Sequence, residues 1–544
     1  MACRNYWLLS LLCTLAVYGS ARSQDLVREL QKQADEQKQA SWGHWGAKPN
    51  VYSDWTNHSN RLIPIYTFGI DLTEFAGEQS AYRNADKLQN IYGYAPQQTV
   101  NPNAEYLDQT DVYRLQQQAV NAGKKYVILM VFDGMDWQTT QAAAVYKSQH
   151  VYESGRGSGL LFQDYQGTQT DYGWFVSSPY TTGGDVDVNT QTATCDGSAK
   201  NGGYSYQIGG PFPWSRPKAP TYHLGQVKNA PHGVTDSASS ATSMTAGIKT
   251  YNAAINVGPN GEQVVPIGRT LQAERNWSIG VVTSVPISHA TPAAAYSNNV
   301  NRNDYQDLTK DLLGLRSVSH RQQPLSGVDV LIGCGWGETK NEDSGQGDNF
   351  VPGNRYFPET EWGNVDIEKN GKYRVAQRTP GKPGKQVLLE AAKRAYQENT
   401  RLFGFFGVTG DKGRQGGHLP YQTADGQYNT YQEVNDPNDI DENPTLADMT
   451  RAALGVLSKN SNGFWLMIEA GDVDWANHKN NLDNSIGAVL SGDDAFKMVI
   501  SWVEKYDKWD ETAVILTADH GHHLVISDPS VLIKSNTSSA LSAK

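Results

Sequence analysis

Acidic and imidazole side chains recur at the ends of long apolar runs in this sequence of 544 residues. Asp133 follows the run YVILMVF, Glu469 ends the run FWLMIE, and Asp519 and His520 follow TAVILT. Continuous apolar runs of this length are typical of strands that are buried on both faces of a parallel sheet. The carboxyl ends of such strands meet at one edge of the sheet, where ligands bind. The sequence therefore predicts that these side chains converge on one site.

Two of these segments carry residue types that commonly bind metal ions in proteins. In IEAGDVDWANH, Asp474 and His478 are four residues apart and share a face if the segment is helical. In TADHGHH, His520 is followed by His522 and His523. Carboxylate and imidazole ligands together are usual in catalytic zinc sites, which keep an open position. A solvated polar surface explains them poorly because they directly follow buried strands, so we predict metal binding.

A serine, a threonine and an arginine in two further segments could act on an anionic substrate. Ser237 in VTDSASSATSM lies at the predicted start of a helix, where backbone N–H groups and the helix dipole favour an anion. In HATPAAAYSNNVNR, Thr291 carries a hydroxyl, and Arg302 offers a fork that matches two phosphate oxygens. Each residue taken alone also fits an ordinary role, with Ser237 in a helix cap and Arg302 at the surface.

The elements that would position these residues follow an alternating pattern. Apolar runs predict strands, and the stretches between them predict helices. Strands alternating with helices indicate an α/β fold with a mostly parallel central sheet and helices on both faces. The predicted strands are 126–132, 278–284, 328–333, 464–469 and 512–520, and the predicted helices are 237–246, 266–275, 387–397, 445–458 and 493–506.

The ends of the chain differ in character from this alternating region. Residues 1–23 have a positive start, an apolar stretch and a small-residue cleavage site, which predicts a secretory signal peptide, with an uncleaved anchor as the alternative. We interpret residues 24–120 as an N-terminal extension that begins with a short polar helix. Residues 121–530 form the predicted catalytic domain and residues 531–544 a polar tail. Loop-rich insertions are expected at about 150–230 and 335–385.

Composition excludes several classes of protein. The net charge is −11 and there is no basic run, which argues against nucleic-acid binding. No other apolar run is long enough for a transmembrane anchor. There is no CxxC motif. Removal of the signal peptide would leave Cys195 and Cys334, and the sequence leaves open whether they pair.

Six segments, in their order and with their internal spacings, resemble those of the alkaline phosphatase family. They are VFDGMD, VTDSASSATSMTAGIKTYNAAINV, HATPAAAYSNNVNR, NPTLADMT, IEAGDVDWANH and TADHGHH, and the resemblance covers roughly residues 124–527. It implies an alkaline-phosphatase-like fold and a metal-dependent enzyme that hydrolyses phosphate monoesters and releases inorganic phosphate. It further implies that Ser237 becomes phosphoserine, that Arg302 clamps the phosphate, and that a homodimer is among the states of the protein. The predicted signal peptide implies that the protein is secreted or periplasmic.

The resemblance also implies three metal ions, two Zn2+ and one Mg2+. Asp133, Asp519 and His520 would hold the zinc next to Ser237, which we call the inner zinc. Asp474 and His478 would hold the outer zinc. The magnesium ligands would be Asp133, Thr291 and Glu469, an all-oxygen set that suits this ion.

The sequence departs from the family pattern at the outer zinc. The family usually supplies a third outer ligand from a histidine well downstream of the Asp-His pair. Here 24 residues follow His520, and their only histidines are His522 and His523. The segment that commonly helps form the dimer-side crown is absent too. His522 matches a position that usually supports a ligand and is the leading substitute. Weaker candidates are His523, His232 and His418.

A second departure lies near the third metal. His289 and Trp475 stand where some members carry Asp and Lys, although other members resemble this chain. His289 could bring a nitrogen ligand to that ion and shift its preference towards zinc, or it could only order water.

Two other functions compete with the phosphomonoesterase. A phosphodiesterase or sulfatase of the same superfamily is one, but Arg302 argues against a diesterase, and Ser237 lacks the C/S-x-P-x-R context of a sulfatase. A non-catalytic binding protein on a decayed phosphatase scaffold is the other. The missing downstream histidine motivates it, whereas the retained Ser237, Arg302 and metal ligands oppose it.

Overall fold

The computed structural model describes residues 25–195, 200–227, 232–410, 415–428 and 435–533. The predicted signal peptide, residues 1–23, lies outside these ranges, as does most of the predicted polar tail.

The described part of the chain has sixteen strands, and ten of them form one mixed central sheet. The strands are β1 (Gly43–Trp45), β2 (Leu62–Phe68), β3 (Leu107–Asp108), β4 (Tyr126–Phe132), β5 (Thr170–Val176), β6 (Asp185–Asp187), β7 (Thr192–Thr194), β8 (Ser278–Pro286), β9 (Val330–Cys334), β10 (Thr339–Lys340), β11 (Gly353–Asn354), β12 (Tyr373–Gln377), β13 (Arg401–Phe405), β14 (Phe464–Ala470), β15 (Thr512–Thr517) and β16 (Leu524–Ile526). The central sheet has the order β12-β13-β9-β8-β14-β4-β15-β2-β5-β3. All its neighbours pair in parallel except β15 with β2 and β2 with β5. The short strands pair as β1 with β16, β6 with β7 and β10 with β11.

Helices cover both faces of this sheet. They are α1 (Leu26–Gln37), α2 (Ala85–Tyr92), α3 (Asp111–Asn121), α4 (Trp137–Ser148), α5 (Leu161–Asp164), α6 (Tyr206–Gly209), α7 (Ser237–Ala246), α8 (Ile267–Arg275), α9 (Ala290–Ala294), α10 (Tyr305–Leu313), α11 (Trp362–Val365), α12 (Gly384–Glu398), α13 (Pro437–Asp441), α14 (Leu446–Leu457), α15 (Asp472–His478) and α16 (Leu482–Lys505). Successive residues of β8 show the two layers, because Gly280 faces Leu457 of α14 and Ile279 faces Gly268 of α8. The predicted α/β fold with a mostly parallel sheet is confirmed.

The predicted elements agree with the structure except at some ends. Strand β4 and helix α7 have the predicted bounds. Helix α16 begins eleven residues before the predicted start because the side chain of Asn481 accepts a hydrogen bond from the backbone N–H of Asn484 and caps an earlier turn. Strand β15 ends at Thr517, which leaves Asp519 and His520 in the segment beyond the strand.

The central sheet also draws on residues outside the predicted core of the catalytic domain. Strand β2, within the expected extension 24–120, lies between β15 and β5 and is fully buried. Strand β5 lies within the expected insertion 150–230. Pro64 interrupts the run LIPIYTF, and proline argues against an inner strand, so the sequence signal for β2 was weak. Within residues 24–120, strands β2 and β3 therefore belong to the central sheet.

The two cysteines within the described residues do not pair. Cys195 and Cys334 are both free thiols, and Cys334 is buried in β9. In the part of the chain that the structure describes, no helix is both long and apolar enough to cross a bilayer.

Candidate metal centre and nucleophile

Ser237 is the first residue of α7. The preceding Asp236 caps the helix, because its Oδ1 accepts a hydrogen bond of 3.0 Å from the backbone N–H of Ser239. The Ser237 Oγ lies 3.2 Å from His520 Nε2 and 3.5 Å from Asp133 Oδ1. The side chain is 1% exposed. A hydroxyl at the positive end of a helix is well placed to carry developing negative charge.

The segment after β15 is held by hydrogen bonds to its backbone. The carbonyl oxygen of Asp519 accepts from Ser177 Oγ at 2.8 Å, from Ser240 Oγ at 2.9 Å and from Gln109 Nε2 at 3.0 Å. The Oδ1 of Asp519 accepts from the backbone N–H of Gly134 at 2.9 Å. These contacts fix the orientation of Asp519 and of the following His520.

The predicted inner zinc ligands meet in one cluster. His520 Nε2 lies 3.2 Å from Asp133 Oδ1, 3.4 Å from Asp519 Oδ2 and 3.9 Å from Asp474 Oδ1. Asp519 Oδ2 has no hydrogen-bond partner among the described residues. Burial and the neighbouring Asp133 carboxylate raise the pKa of Asp519 to about 7. Buried carboxylates this close to one another fit a divalent cation, which neutralises them and fills the open coordination position.

The predicted magnesium ligands also come together. Thr291 Oγ1 donates to Asp133 Oδ2 over 3.5 Å. The Oε2 of Glu469 accepts from Thr283 Oγ1, and its Oε1 is buried with no partner in the described part of the chain. Burial raises the pKa of Glu469 to about 8. An all-oxygen group with an unpartnered carboxylate oxygen fits a hard cation such as magnesium.

A second metal-ligand group lies next to the inner cluster. Asp474 and His478 share α15, with His478 Nε2 3.4 Å from Asp474 Oδ1. His522 Nε2 lies 2.6 Å from the same oxygen. A histidine that the sequence reasoning did not single out, His58, joins them, with its Nε2 3.6 Å from Asp474 Oδ1. These four residues form one compact group of ligand atoms, which we call the outer cluster.

The antiparallel strand β2 explains why His58 reaches this edge. Residues that follow a parallel strand and residues that precede an antiparallel neighbour lie at the same edge of a sheet. His58 comes four residues before β2, and Ile65 of β2 pairs with Thr517 at the end of β15. The His58 ring stacks on His520, with ring centroids 3.6 Å apart. Burial and the proximity of His520 lower the pKa of His58 to about 4, so its imidazole is neutral.

The remaining histidine candidates lie apart from the ligand groups. His289 accepts from Arg302 Nη2 at 3.5 Å and packs edge-on against Trp475, with ring centroids 5.6 Å apart. The metal-ligand clusters among the described residues include neither His289 nor the weaker outer candidates, which are His523, His232 and His418.

Arg302 lies beside the residue that precedes the serine. Its Nη1 donates to Asp236 Oδ2 over 3.1 Å. Arg302, His58, Asp474, Trp475 and other side chains line an open cleft of about 800 Å³. The guanidinium therefore borders the same cleft as His58 and Asp474 of the outer cluster.

Without metal ions, the protein should lose stability as the pH rises from about 6.5 to about 8. Burial raises the pKa values of Asp519 to about 7 and Glu469 to about 8, far above about 4 in an unfolded chain. The folded state therefore holds protons that the unfolded state has released, and their loss costs up to about 1.4 kcal/mol per pH unit and proton. Burial lowers the pKa of His58 to about 4 and that of His289 to about 3. These two groups change the free energy of unfolding only below about pH 6.5, the pKa of a histidine in an unfolded chain.

Chemical denaturation of chelator-treated protein at several pH values measures this dependence. Protein loaded with zinc and magnesium is the control and should show a smaller decline. Some decline should persist, because burial also raises the pKa of Asp304 to about 8 and this residue is not a proposed metal ligand. A free energy of unfolding that stays constant or increases over this range in the metal-free protein would contradict the expectation.

The chain is similar to known alkaline phosphatases. A family model described as alkaline phosphatase matches residues 218–541, more than half of the chain. Alkaline phosphatase 3 of Bacillus subtilis is 28% identical over 303 residues, which cover 55% of this chain and 52% of that protein. Alkaline phosphatase of Escherichia coli is 28% identical over 323 residues, which cover 57% and 62%. The crystal structure of a cold-active alkaline phosphatase from Shewanella sp. aligns at 19% identity with a TM-score of 0.43 and covers 73% of this chain and 68% of that one.

The extent of the family match settles membership, and the chain belongs to the alkaline phosphatase family. It spans about half to three fifths of the length of the two curated relatives. Asp133 and His58 lie upstream of the residues that the family model matches.

Proposed function

We propose that the protein hydrolyses phosphate monoesters and releases inorganic phosphate through a phosphoserine at Ser237. The position of the Ser237 Oγ carries this proposal. It lies at a helix N-terminus within 3.5 Å of Asp133 and His520, and Arg302 contacts the residue next to it. A nucleophile, an anion-binding arginine and a group of cation ligands are the parts that phosphoryl transfer needs.

The donor sets support two zinc ions and one magnesium ion. Asp133, Asp519 and His520 would hold zinc beside Ser237, and the outer cluster would hold the second. Asp133, Thr291 and Glu469 would hold magnesium. When bound, such cations lower the pKa of a hydroxyl and of water and stabilise the attacking and leaving oxygens of an in-line displacement.

Ser237 provides the covalent step. Its Oγ loses its proton and attacks phosphorus, and the bond from phosphorus to the ester oxygen breaks. The ester oxygen gains one proton and leaves as the alcohol, so no proton is gained or lost overall. Asp133 Oδ1 is an acceptor for the hydroxyl of Ser237 before attack. The backbone N–H groups of the first turn of α7 face the negative charge of the phosphoryl group. Water then attacks phosphorus and the bond from phosphorus to Oγ breaks. A proton from the water restores the Ser237 hydroxyl, and inorganic phosphate leaves.

Arg302 orients the phosphoryl group. Its Nη1 is held by Asp236, which fixes the guanidinium plane next to Ser237. The remaining N–H groups can donate in parallel to two phosphoryl oxygens, the geometry that arginine matches best. The same interactions would hold the inorganic phosphate product.

Replacing Arg302 by alanine should weaken inhibition by inorganic phosphate by about 10- to 100-fold, because hydrogen bonds to charged groups contribute about 1.5–3 kcal/mol. Arg302→Lys is the matched control. Lysine keeps the positive charge but lacks the two parallel N–H donors of the guanidinium. The inhibition constant of phosphate for this variant should therefore fall between those for the wild type and Arg302→Ala. Unchanged phosphate inhibition in a folded Arg302→Ala protein would remove this residue from the site.

A comparison of ester classes tests the proposed function. Purified protein loaded with zinc and magnesium is given an aryl phosphate monoester and the matching diester at alkaline pH, and phosphate release is measured. We expect the monoester to be the preferred substrate. Preference for the diester would indicate a phosphodiesterase, and no turnover of either ester by folded, metal-loaded protein would favour the binding-protein alternative.

The cellular site and the assembly remain part of the proposal. We propose a secreted or periplasmic enzyme on the basis of the signal peptide predicted at residues 1–23. The homodimer implied by the resemblance to the family stays a prediction.

A further inference from the structure

The outer cluster contains an imidazole from a segment far upstream of its other members. We propose that His58 is the third protein ligand of the outer metal ion, together with Asp474 and His478. This inference rests on the metal-dependent function proposed above. It assigns to the upstream segment a ligand that the family resemblance places downstream of the Asp-His pair.

The hydrogen bonds of the His58 and His478 imidazoles determine which of their nitrogen atoms are free to bind a metal ion. His58 Nδ1 lies 3.0 Å from the carbonyl oxygen of Thr235, and His478 Nδ1 lies 2.6 Å from that of Thr56. A carbonyl oxygen only accepts, so both Nδ1 atoms carry the proton. In a neutral imidazole the Nε2 atom then has a free lone pair. Such a backbone hydrogen bond at the other ring nitrogen is the usual support of a metal-binding histidine.

The free lone pairs point at each other and at a carboxylate. His58 Nε2 lies 3.2 Å from His478 Nε2 and 3.6 Å from Asp474 Oδ1. Two bare nitrogen atoms and a carboxylate oxygen repel one another unless a cation lies among them. Two imidazoles and one carboxylate form a known ligand set of catalytic zinc, which leaves the fourth position open.

His522 has a different role in this cluster. Its Nε2 is 2.6 Å from Asp474 Oδ1, a hydrogen-bond distance at which the nitrogen donates to the carboxylate. The proton that makes this hydrogen bond occupies the nitrogen that would otherwise face the metal. His522 therefore orients Asp474 as a positioning residue, and His58 completes the ligand set.

The backbone around His58 is held in place on both sides of the cluster. The N–H of Ser59 donates to the carbonyl oxygen of Gly521 over 2.6 Å. Arg61, which is buried, forms an ion pair of 2.9 Å with Asp136. The first contact ties the segment that precedes β2 to the segment that follows β15, and the second ties it to the start of α4, which Asp136 caps. A ligand on a fixed backbone needs little ordering when the metal binds.

His58→Gln in the full-length protein tests the assignment. Glutamine keeps a polar side chain of similar reach but is a weaker zinc ligand. Loss of a residue that merely supports a ligand already costs about 10- to 100-fold in metal affinity, so loss of a ligand should weaken outer zinc binding by at least about 100-fold. Equilibrium dialysis against buffered zinc should then show about one zinc ion fewer per chain than in the wild type. Unchanged zinc content and affinity in the variant would overturn the proposal.

His523→Asn is the matched control because His523 is buried close to the site but lies outside both ligand groups. Its backbone is left-handed, with φ 58°, which asparagine tolerates. This variant should bind zinc as the wild type does. A zinc loss equal to that of His58→Gln would show that burial, rather than ligation, governs the effect.

Counting the imidazole nitrogens that couple to a bound cadmium ion tests the ligand assignment even if His58→Gln does not fold. Wild-type protein and His522→Gln are labelled with nitrogen-15 at histidine and loaded with cadmium-113. We expect the outer cadmium to couple to two imidazole nitrogens in both proteins, from His58 and His478. Coupling to only one imidazole in the wild type, or loss of one coupling in His522→Gln, would overturn the assignment. Neither readout depends on turnover, so failure of this proposal and failure of the phosphatase proposal are distinguishable.

Discussion

Replacing Ser237 by alanine is expected to lower turnover of an aryl phosphate monoester by about 10⁴-fold or more, since loss of a nucleophile removes the covalent route entirely. The Ser237 Oγ is the hydroxyl that lies within 3.5 Å of both Asp133 and His520. The substitution removes one oxygen atom and leaves Asp236 as the helix cap, so the fold should persist. Steady-state kinetics with thermal unfolding as a check on folding measure the effect.

Ser243→Ala is a matched control on the same helix. The Oγ of Ser243 donates to the carbonyl oxygens of Ser239 and Ile248, so it makes backbone contacts rather than site contacts. We expect turnover within a few-fold of the wild type. Full activity of Ser237→Ala with unchanged kinetics would show that the covalent mechanism is wrong.

Removal of divalent metal ions should have an effect of similar size on turnover, and it should also destabilise the protein. Without cations, the buried carboxylates of Asp133, Glu469 and Asp519 face one another, and Asp519 Oδ2 and Glu469 Oε1 have no hydrogen-bond partner in the described part of the chain. A metal present at about 1,000 times its dissociation constant adds about 4 kcal/mol per site to the free energy of unfolding. Turnover and thermal unfolding before and after chelation measure both effects.

Zinc and magnesium together should restore turnover to the stripped protein. Chelator that has been saturated with zinc beforehand is the control, and it should leave activity intact. Undiminished turnover by thoroughly stripped protein would contradict the metal-dependent mechanism.

Much of the fold could be predicted because the buried parallel strands are continuous apolar runs. YVILMVF and FWLMIE each formed a strand at the expected place, and the residues that follow them converge as parallel strand order requires. The side chains of Ser237, Asp133, Asp519 and His520 lie close together in the structure. Thr291 and Glu469 lie next to them.

His58 could not be predicted because its position depends on a strand with a weak sequence signal. LIPIYTF contains Pro64, and the preceding region has no clear period, so neither helix nor strand was indicated there. The partner of β2 is β15, more than 400 residues away in sequence. Only the antiparallel pairing of these two strands places the segment before β2 beside Asp519. The position of His58 four residues before the apolar run LIPIYTF is a signal too weak to single it out.

The sequence and the hydrogen-bond pattern favour different candidates for the third ligand of the outer metal ion. The sequence makes His522 the leading substitute because it matches a position that usually supports an outer ligand. Its hydrogen bond of 2.6 Å to Asp474 is the reason why we propose a supporting position for it and the ligand role for His58. The local sequence therefore indicates which residues lie near the proposed metal site. The hydrogen-bond pattern is needed to distinguish the proposed ligand, His58, from the proposed supporting residue, His522.

Trapping of the covalent intermediate tests the central claim most directly. Metal-loaded protein is incubated with an aryl phosphate monoester, quenched in acid, digested and examined by mass spectrometry, with Ser237→Ala treated in parallel. We predict phosphorylation of the wild-type peptide at Ser237 and no phosphorylated peptide in the variant. Turnover of the monoester with no phosphorylated residue, or with phosphate on a residue other than Ser237, would contradict the account.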